Sequence, residues 1–182
     1  FGGLGNDTIT GSSGNDSLQG GAGDDYLDGG DGGVDHFYGD AGNDTIVIKG
    51  GPEIDAWGGE GDDIITGGDF QSNIWGENGN DTIVTGSSYQ TLDGGAGNDY
   101  LDGGAGGDSI VTGDGNDTVV IRKGDGGADG VSDFTDGSDK IKLVGATFSE
   151  LTITQSSSST IISSGDKYLA SFSNFVATDL TE

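Results

Sequence analysis

A nine-residue period organises most of the sequence and constrains its fold more than any other feature. Counted from Gly2, the blocks GGLGNDTIT, GSSGNDSLQ and GGAGDDYLD follow one another, and related blocks continue to Val120 with a looser stretch at residues 48–57. They share the pattern G-G-x-G-x-D-x-U-x, in which U is a large apolar residue. A repeat this short and regular indicates a solenoid, in which each coil packs only on its neighbours.

Each place in the block has its own physical role. Glycines at the first, second and fourth places allow positive φ and close backbone approach, as a tight turn requires. The last three residues alternate like a strand, so the U side chains point to one side. Those side chains are Ile9, Leu18, Leu27, Phe37, Ile46, Ile65, Ile74, Ile83, Leu92, Leu101, Ile110 and Val119. Two blocks would form one coil, and alternate blocks would stack about 4.8 Å apart in two parallel sheets.

The composition indicates that burial of apolar side chains is not the main source of stability. Only 30% of the 182 residues are hydrophobic, whereas 40 are glycine, which loses more backbone entropy on folding than any other residue. The 32 Asp and Glu residues outnumber the 6 Lys and Arg residues, and a formal net charge of -26 opposes compaction unless cations neutralise it. The same charge excludes nucleic acid as a partner.

The sixth-place aspartates indicate where such cations would bind. Stacking places the turns of alternate blocks above one another, so each edge of the solenoid carries its own row of carboxylates. In the odd-numbered blocks the row is complete: Asp7, Asp25, Asp44, Asp63, Asp81, Asp99 and Asp117. Flexible turns that offer only oxygen ligands favour Ca²⁺ over Mg²⁺. We therefore expect a continuous row of calcium sites along this edge.

The even-numbered blocks predict a second row that is broken in its middle. There Glu53 replaces a glycine, Phe70 and Ser72 replace a glycine and an aspartate, and the block that ends its turn at Gln90 has neither. Ligands are therefore expected to be missing at these blocks. The remaining sites of this row are expected at Asp16 with Asp35, and at Asp108 with the later turn that carries Asp129.

These blocks resemble the RTX family, the haemolysin-type calcium-binding repeats of exported bacterial toxins, serralysin-type metalloproteases, mannuronan epimerases and adhesins. The resemblance covers residues 2–120 and continues more weakly through GDGGADGVS to SDFTDGSDKIKL, which is similar to the segment that often closes RTX blocks. It implies an all-β fold, a calcium-stabilised parallel β-roll or β-solenoid. It also implies export through a type I channel, so the type I secretion machinery is an expected partner.

The resemblance further implies which atoms bind the metal. Several Ca²⁺ ions would be held by the sixth-place carboxylates together with backbone carbonyls of the first four places in each turn. In the odd-numbered blocks these carbonyls belong to Gly3, Gly5, Gly20, Gly21, Ala22, Gly23, Gly39, Ala41, Gly42, Gly58, Gly59, Glu60, Gly61, Gly76, Asn78, Gly79, Gly94, Gly95, Ala96, Gly97, Gly113 and Gly115.

The residues after the repeats have a different character. Residues 121–142 read as final degenerate repeats, and in residues 143–182 the segments LTIT, TIIS and KYLASF read as three short strands. Residues 1–120 hold 23 acidic residues and one basic residue, whereas residues 121–182 hold nine and five. A solenoid needs a cap, because its terminal coil exposes the core and an unpaired edge. We expect a metal-dependent roll at 1–120 and an antiparallel C-terminal β-strand cap at 143–182.

The sequence does not mark a catalytic site. The carboxylate pairs are repeated and equivalent, so none is set apart as the acid and base of a glycosidase would be. His36 is the only histidine, which excludes a multi-histidine metal centre, and we expect its ring to point outward beside Tyr38. The glycine-rich stretches lack the lysine of a phosphate-binding loop. An ice-binding surface would need ranks of threonine, which the third place never supplies. We predict a non-enzymatic module.

Aromatic residues suggest an alternative function. They fall in or near the blocks that lack ligands, and we expect them on the broken edge. They are Trp57, Phe70, Trp75 and Tyr89, with Phe37 and Tyr38 nearby. Such rings either pack where metal no longer holds the turns, or bind a polysaccharide or a partner protein for an attached enzyme or adhesin.

The sequence also indicates where the protein acts. It has no cysteine, so neither disulfides nor thiolate metal sites stabilise it. No apolar run approaches the roughly 18 residues of a membrane helix, and no N-terminal signal peptide is visible. Phe1 falls where a preceding repeat would end, so we expect a segment of a longer protein. Together with the resemblance, these features predict a secreted or cell-surface bacterial protein.

Overall fold

The computed structural model describes residues 1–124, 126–135, 137–156 and 158–175. Their strands are β1 (Gly3–Leu4), β2 (Thr8–Thr10), β3 (Ser17–Ala22), β4 (Tyr26–Asp28), β5 (His36–Ala41), β6 (Thr45–Val47), β7 (Ile54–Glu60), β8 (Ile64–Thr66), β9 (Ser72–Asn78), β10 (Thr82–Val84), β11 (Gln90–Ala96), β12 (Tyr100–Asp102), β13 (Ser109–Val111), β14 (Thr118–Arg122), β15 (Asp129–Ser132), β16 (Lys140–Val144), β17 (Leu151–Gln155), β18 (Ser159–Ser164) and β19 (Lys167–Ser173). A short 3-10 helix, Phe148–Glu150, precedes β17.

The strands alternate between two sheets. Sheet A has eleven strands in the order β1-β3-β5-β7-β9-β11-β13-β15-β19-β18-β17, and sheet B has eight in the order β16-β14-β12-β10-β8-β6-β4-β2. Gly3 pairs in parallel with Gly21, and Thr8 with Tyr26, so one coil of two blocks returns the chain to the same sheet one strand further on. This is the parallel β-roll that the nine-residue period predicts, and the all-β prediction is confirmed.

The core is a double row of side chains between the sheets. Sheet A contributes Leu18, Phe37, Ala56, Ile74, Leu92, Ile110, Val131 and Phe172, and sheet B contributes Leu27, Ile46, Ile65, Ile83, Leu101 and Val119, all at most 2% exposed. Every U residue predicted from the period belongs to these rows or, like Ile9, packs against them. Ala56 lies in the row at the looser stretch, where its small side chain did not match the pattern.

The C-terminal strands close the end of sheet A. β19 pairs in parallel with β15 through Asp129 and Ala170, and β18 and β17 then continue the sheet in antiparallel order. The rings of Phe134, Phe172 and Phe175 pack together there, with centroids 5.0, 5.1 and 5.8 Å apart. The three strands coincide with the segments LTIT, TIIS and KYLASF, so the predicted strand cap is confirmed. Residues 176–182 of the predicted cap lie outside the described residues.

Candidate metal centres

The turns between the two sheets stack into two edges. We call the first the continuous edge; it is built from turns 2–7, 20–25, 39–44, 58–63, 76–81, 94–99 and 112–117, which lead from sheet A to sheet B. We call the second the interrupted edge; it is built from turns 11–16, 29–35, 48–54, 67–72, 85–90, 103–108 and 123–129, which lead back to sheet A. The predicted metal ligands divide between these edges as the block count predicts.

On the continuous edge the sixth-place aspartates form an unbroken ladder. Each backbone N–H donates to the Oδ1 atom of the aspartate one coil further on, over distances of 2.7–3.0 Å. The ladder runs through Asp7, Asp25, Asp44, Asp63, Asp81, Asp99 and Asp117, and it ends at Asp139. The structure thus brings together all seven predicted aspartates and adds Asp139, which sequence reasoning did not assign to the row.

The second carboxylate oxygen of each predicted aspartate in this ladder has a different environment. The Oδ2 atoms are buried and have no hydrogen-bond partner; they belong to Asp7, Asp25, Asp44, Asp63, Asp81, Asp99 and Asp117. A buried charged oxygen without a partner destabilises a fold by more than the roughly 1–3 kcal/mol of a neutral polar group. A bound cation would remove this penalty along the whole row.

Glycine at the first place keeps the space in front of these oxygens open. A Cβ atom on Gly2 would lie 2.5 Å from Asp7 Oδ2 and 2.5 Å from the Gly20 carbonyl oxygen. A Cβ atom on Gly94 would lie at the same distances from Asp99 Oδ2 and from the carbonyl oxygen of Thr112. Carboxylate and carbonyl oxygens from two successive turns therefore converge on one point that only a glycine leaves accessible.

The second and fourth places add further carbonyl oxygens to the same gap. Gly21 and Gly23 have φ values of 114° and 123°, which L side chains rarely adopt. A Cβ atom on Gly23 would lie 2.7 Å from the Gly5 carbonyl oxygen, and one on Gly21 would collide with the Gly3 carbonyl oxygen. An oxygen-only ligand set drawn from flexible turns is the type that Ca²⁺ prefers, so these residues fit that ion.

The predicted carbonyl ligands of the third place are also used in backbone hydrogen bonds between turns. They accept backbone N–H groups from the preceding turn at 2.6–2.8 Å; these carbonyls belong to Ala22, Ala41, Glu60, Asn78 and Ala96. Among the described residues, no three His, Cys, Asp or Glu side chains converge as a metal cluster. At the second place, the Gly95 carbonyl oxygen likewise accepts the Asp114 N–H at 2.8 Å. A cation between the turns would therefore take several ligands from the backbone, most readily from the first and fourth places.

Burial perturbs the titration of the ladder carboxyls. It raises the pKa of Asp63 to about 7 and the pKa of Asp44, Asp81 and Asp99 to about 6. Backbone N–H donors oppose this rise, and neighbouring carboxylates add to it. In the absence of a cation these groups take up protons near neutral pH, so protons and a cation compete for the same oxygens.

The continuous edge carries a second ladder of hydrogen bonds from backbone to side chain. Fifth-place Asn and Asp side chains accept backbone N–H groups from the next coil at 2.7–3.0 Å, in the direction opposite to the sixth-place ladder. The acceptors are Asn6, Asp24, Asn43, Asp62, Asn80 and Asn98. The recurrence of Asn at this place was visible in the sequence, but its role in joining the turns was not predicted.

On the interrupted edge the structure brings together the two predicted aspartate pairs. The Asp16 N–H donates to Asp35 Oδ1 at 2.9 Å, and the Asp108 N–H donates to Asp129 Oδ1 at 3.1 Å. Asp35 Oδ2 is buried without a hydrogen-bond partner, and burial raises the pKa of this carboxyl. Asp16 Oδ2 instead accepts the Ser12 N–H at 2.7 Å. Each end of this edge therefore repeats part of the continuous ladder.

Packing and hydrogen bonds hold the middle of the interrupted edge. Ile54, Ser72 and Gln90 stand in register at the sixth place, and none of them offers a carboxylate. Ile54 joins Ile48 in the core. Ser72 Oγ and Gln90 Nε2 both donate to the Phe70 carbonyl oxygen, at 3.2 and 2.8 Å. The Gln90 bond joins turns 85–90 and 67–72, and the Ser72 bond lies within turn 67–72.

Protein side chains supply positive charge on the same edge. The Lys49 ammonium lies 2.5 Å from Asp28 Oδ2, and this bond lowers the pKa of Asp28. The Arg122 guanidinium contacts both oxygens of Asp102, with Nε 3.1 Å from Oδ1 and Nη2 2.5 Å from Oδ2. Both aspartates are buried. Lysine and arginine thus neutralise carboxylates beside turns that lie outside the continuous ladder.

The aromatic side chains do not gather on the interrupted edge as expected. Tyr38, Trp57 and Trp75 stack on the outer face of sheet A, with centroids 4.9 and 4.8 Å apart, next to the continuous edge. Phe37 lies in the core instead, and Phe70 and Tyr89 lie in the interrupted turns, 38% and 51% exposed. The expectation was wrong for the two tryptophans because each directly precedes a turn of the continuous edge, at residues 58–63 and 76–81.

The ring stack favours packing over ligand binding. Sugars and cations bind to the faces of aromatic rings, but the faces within this stack cover one another at interplanar angles of 1° and 8°. A groove of about 270 Å³ is lined by Tyr38, Asp40, Trp57, Gly59 and Glu77. Polysaccharide or partner binding at these rings stays a prediction.

His36 lies outside the carboxylate ladders. Its side chain is 42% exposed, and Nδ1 lies 3.5 Å from Asp55 Oδ2 on the outer face of sheet A.

Among the described residues, no helix is long and apolar enough to cross a membrane.

Comparison with known proteins identifies the repeat. The RTX calcium-binding nonapeptide repeat matches the chain in four copies, at residues 1–33, 30–46, 57–88 and 90–119, which together make up more than half of its length. The extracellular lipase LipA from Serratia marcescens is a similar solved structure, at 17% identity and a TM-score of 0.39. The match covers 97% of this chain and 37% of the lipase, so the chain spans little more than a third of that protein. No curated protein matches the sequence.

Proposed function

This chain belongs to the RTX calcium-binding nonapeptide repeat family, and we propose that it is a folding module, disordered without Ca²⁺ and folded cooperatively as several Ca²⁺ ions bind. RTX repeats form calcium-binding β-rolls and are typical of exported bacterial proteins. Such a roll is a structural domain, not a catalytic one. Its chemistry is therefore the binding of ions by oxygen atoms.

The buried row of Oδ2 atoms on the continuous edge carries this proposal. Seven predicted aspartates hold such an atom without a hydrogen-bond partner. Removing an ionised group from water destabilises a fold by several kcal/mol unless the charge is paired. Calcium, when bound, supplies a positively charged partner for these oxygens. The chain would contribute the carboxylates of the sixth place and carbonyl oxygens of the first four places.

Calcium would also determine whether the chain folds at all. Ordering 40 glycines and compacting a net charge of -26 both oppose folding, and the apolar core is only a double row of side chains. The free energy of calcium binding then becomes free energy of folding. Since each coil contacts only its neighbours, the transition should be cooperative in Ca²⁺. A midpoint of about 10⁻⁴ to 10⁻³ M is typical of extracellular modules.

Such a midpoint supports a role in export. Cytosolic calcium lies far below this range and external calcium lies near or above it, so the chain would remain unfolded in the cell and fold outside. An unfolded chain suits passage through a type I secretion channel, which the family resemblance implies. We therefore place the chain in a larger secreted or cell-surface bacterial protein, where it supports folding and secretion.

The proposed module has three parts. Residues 1–120 form the roll, residues 121–142 form the final degenerate repeats, and residues 143–182 form the cap. A calcium titration of residues 1–144, which keep β16 whole, beside the full chain tests this division. Without the cap, Phe172 no longer covers Val131 in the core row, so the midpoint should shift to higher calcium. Identical midpoints and cooperativity would show that the C-terminal strands contribute nothing to the roll.

Circular dichroism with and without a chelator tests the proposed function directly. We expect a β spectrum in millimolar Ca²⁺, a disordered spectrum after chelation, and recovery when Ca²⁺ is returned. Mg²⁺ at the same concentration is the control, because its strict octahedral geometry suits these carbonyl-rich turns poorly. An unchanged β spectrum in chelator would overturn the proposal.

A further inference from the structure

The aromatic stack on the outer face of sheet A ends differently on its two sides. On the first side, Gln19 stands in register with Tyr38, and its Nε2 donates to Asp40 Oδ2 at 2.8 Å. On the second side, Asp93 stands in register with Trp75. The chain thus supplies a hydrogen-bond donor at the Tyr38 end of the stack and a carboxylate at the Trp75 end.

One face of the Trp75 ring has no partner ring. Trp57 covers the other face, at a centroid distance of 4.8 Å and an interplanar angle of 8°. Among the described residues, no further ring stacks on Trp75, and the one cation–π contact, Lys142 over Tyr100, lies on sheet B. Asp93 borders the free face, because it occupies the same place on the next strand. Its side chain is too short to cover an indole ring, and Trp75 is partly exposed.

The carboxylate of Asp93 lacks the positive partner that two similar aspartates have. The tetrapeptide LDGG occurs three times, with Asp28, Asp93 and Asp102 as its aspartates. In all three, the carboxylate accepts the backbone N–H of the second glycine. Lys49 then neutralises Asp28, and Arg122 binds both oxygens of Asp102. All six Lys and Arg residues belong to the described part of the chain, and none of them forms an ion pair with Asp93.

The surroundings of Asp93 add negative charge. Glu77 is exposed on the neighbouring strand, in register with Gly95. The Asp133 carboxylate, two coils further on, lies close enough to Asp93 to repel its charge. The sheet A strands from β3 to β15 contain no Lys or Arg residue. The positive charge that would neutralise Asp93 is therefore not supplied by the strands around it.

We propose that Trp75 and Asp93 form a binding site for an arginine side chain of a basic partner protein. A planar guanidinium stacks on the face of a tryptophan ring and donates two parallel hydrogen bonds to one carboxylate. Arg122 forms this kind of fork with the LDGG aspartate Asp102. Glu77 extends the negative potential around the site, which favours a partner segment with several basic residues.

Other ligands fit this point less well. A single carboxylate beside an indole ring does not offer the six to eight oxygen ligands that Ca²⁺ prefers. A neutral sugar would leave the charge of Asp93 unpaired. The proposal goes beyond the proposed function and needs only the folded roll, so it holds whether or not folding depends on Ca²⁺.

Tryptophan fluorescence tests the proposal, because Trp57 and Trp75 are the only tryptophans in the chain. The full chain in millimolar Ca²⁺ would be titrated with a blocked tri-arginine peptide. We expect a saturable change in emission, and Asp93→Asn should weaken binding about three- to tenfold. Asp166→Asn is the matched control, because it removes the same charge from an exposed turn between β18 and β19. It should leave the affinity unchanged.

A blocked tri-lysine peptide of equal charge separates this site from general attraction to an acidic chain. It should bind more weakly than tri-arginine, since an ammonium lacks the planar fork. This comparison uses the wild type, so it remains decisive if Asp93→Asn does not fold. No change in emission, equal affinities for the two peptides, or equal effects of Asp93→Asn and Asp166→Asn would overturn the proposal.

Two further measurements identify where a bound peptide lies. Equilibrium dialysis should show the same number of bound Ca²⁺ ions with and without tri-arginine. Loss of Ca²⁺ would place the peptide on the aspartate ladders and would overturn the proposal. A neutral glucan oligosaccharide should leave the emission unchanged, and a saturable response to it in place of the peptide would show a sugar site instead.

Discussion

The two edges of one solenoid join equivalent turns by different chemistry. On the continuous edge, seven predicted aspartates present a buried Oδ2 atom without a partner, so we expect these turns to depend on a cation. In the middle of the interrupted edge, Ile54 packs in the core and Ser72 and Gln90 bind a backbone carbonyl. The backbone register is the same on both edges, because both belong to the same two sheets. A turn of this shape is therefore stabilised either by metal or by side chains.

The difference explains where the repeat tolerates lapses. Glycine and aspartate are required where an ion needs space and charge, and they are replaced where side chains fill that space. The positive charge of a metal ion is replaced in the same way, since Lys49 and Arg122 each neutralise a buried aspartate. We conclude that departures from the repeat mark turns with another source of stability. They are not simply weakened sites.

The largest expected effect comes from removing a central ladder carboxylate. Asp63→Ala takes a ligand from the gaps on both of its sides and leaves Asp44 and Asp81 with uncompensated charge, which should lower the unfolding free energy in calcium by about 3–5 kcal/mol. Ser72→Ala at the same place on the interrupted edge loses one hydrogen bond, or about 1 kcal/mol. Urea denaturation at fixed calcium compares the two. Equal losses would mean that the edges do not differ.

A glycine pair sharpens the comparison without changing any charge. Gly94→Ala on the continuous edge would place a Cβ atom 2.5 Å from Asp99 Oδ2, so we expect a loss of about 1–3 kcal/mol and weaker calcium binding. Gly14→Ala on the interrupted edge meets no atom within 4 Å. It should be neutral or slightly stabilising, because alanine restricts the unfolded chain. Thermal unfolding in calcium measures both, and a destabilised Gly14→Ala would contradict the account.

Acid should partly replace calcium on the continuous edge. Burial raises the pKa of Asp63 to about 7 and of Asp44, Asp81, Asp99 and Asp117 to about 6 in the folded chain, above the ordinary value of 3.8. The folded state therefore binds protons more tightly, so the calcium-free roll gains stability as pH falls from about 7 toward 3.8 and loses it as pH rises. With calcium the sign reverses, because protons displace the ion. Circular dichroism in chelator at pH 4 and pH 7 tests this, and equal spectra would contradict it.

The smallest effect is expected in the fifth-place ladder. Asn98→Ala removes the exposed hydrogen bonds that the Asn98 side chain makes with Asn80 and Asn116, at 2.8–3.0 Å, and keeps the bond from the backbone N–H of residue 98. We expect a loss of about 1 kcal/mol and no change in the number of bound ions, because Asn98 Oδ1 already accepts the backbone and side-chain N–H groups of Asn116. Calcium dialysis and urea denaturation on the same variant separate the two effects. A lost ion would place this ladder within the metal sites.

Much of the fold can be predicted from the sequence because the same nine-residue pattern recurs in many blocks. The nine-residue period predicts the two sheets, the core rows and the aspartate ladder, and a single lapse does not disturb the register. Asp139 was not assigned because it stands 22 residues after Asp117, whereas earlier ladder steps are 18 or 19 residues. Because extra residues are inserted before Asp139, a fixed nine-residue period does not identify it as the last aspartate of the ladder.

Other features depend on contacts that a period does not contain. Trp57 and Trp75 lie outside the interrupted edge because alternation along the strand directs them to the outer face of sheet A, where each stacks on the ring in the next coil. Gln90 reads as a lost ligand in the sequence, yet only the bond from Nε2 to Phe70 shows that its amide oxygen is left buried. Both require the positions of side chains from neighbouring coils.

A crystal structure with calcium, with the ions located by anomalous scattering, tests the central claim most directly. The account predicts an ion in each successive gap of the continuous edge from Asp7 to Asp117 and no ion between Ile54 and Ser72. The crystal structure shows separately whether each gap between turns holds an ion. The ion content of the two edges is therefore compared within one molecule. Gaps without ions along the continuous ladder, or an ion between Ile54 and Ser72, would contradict it.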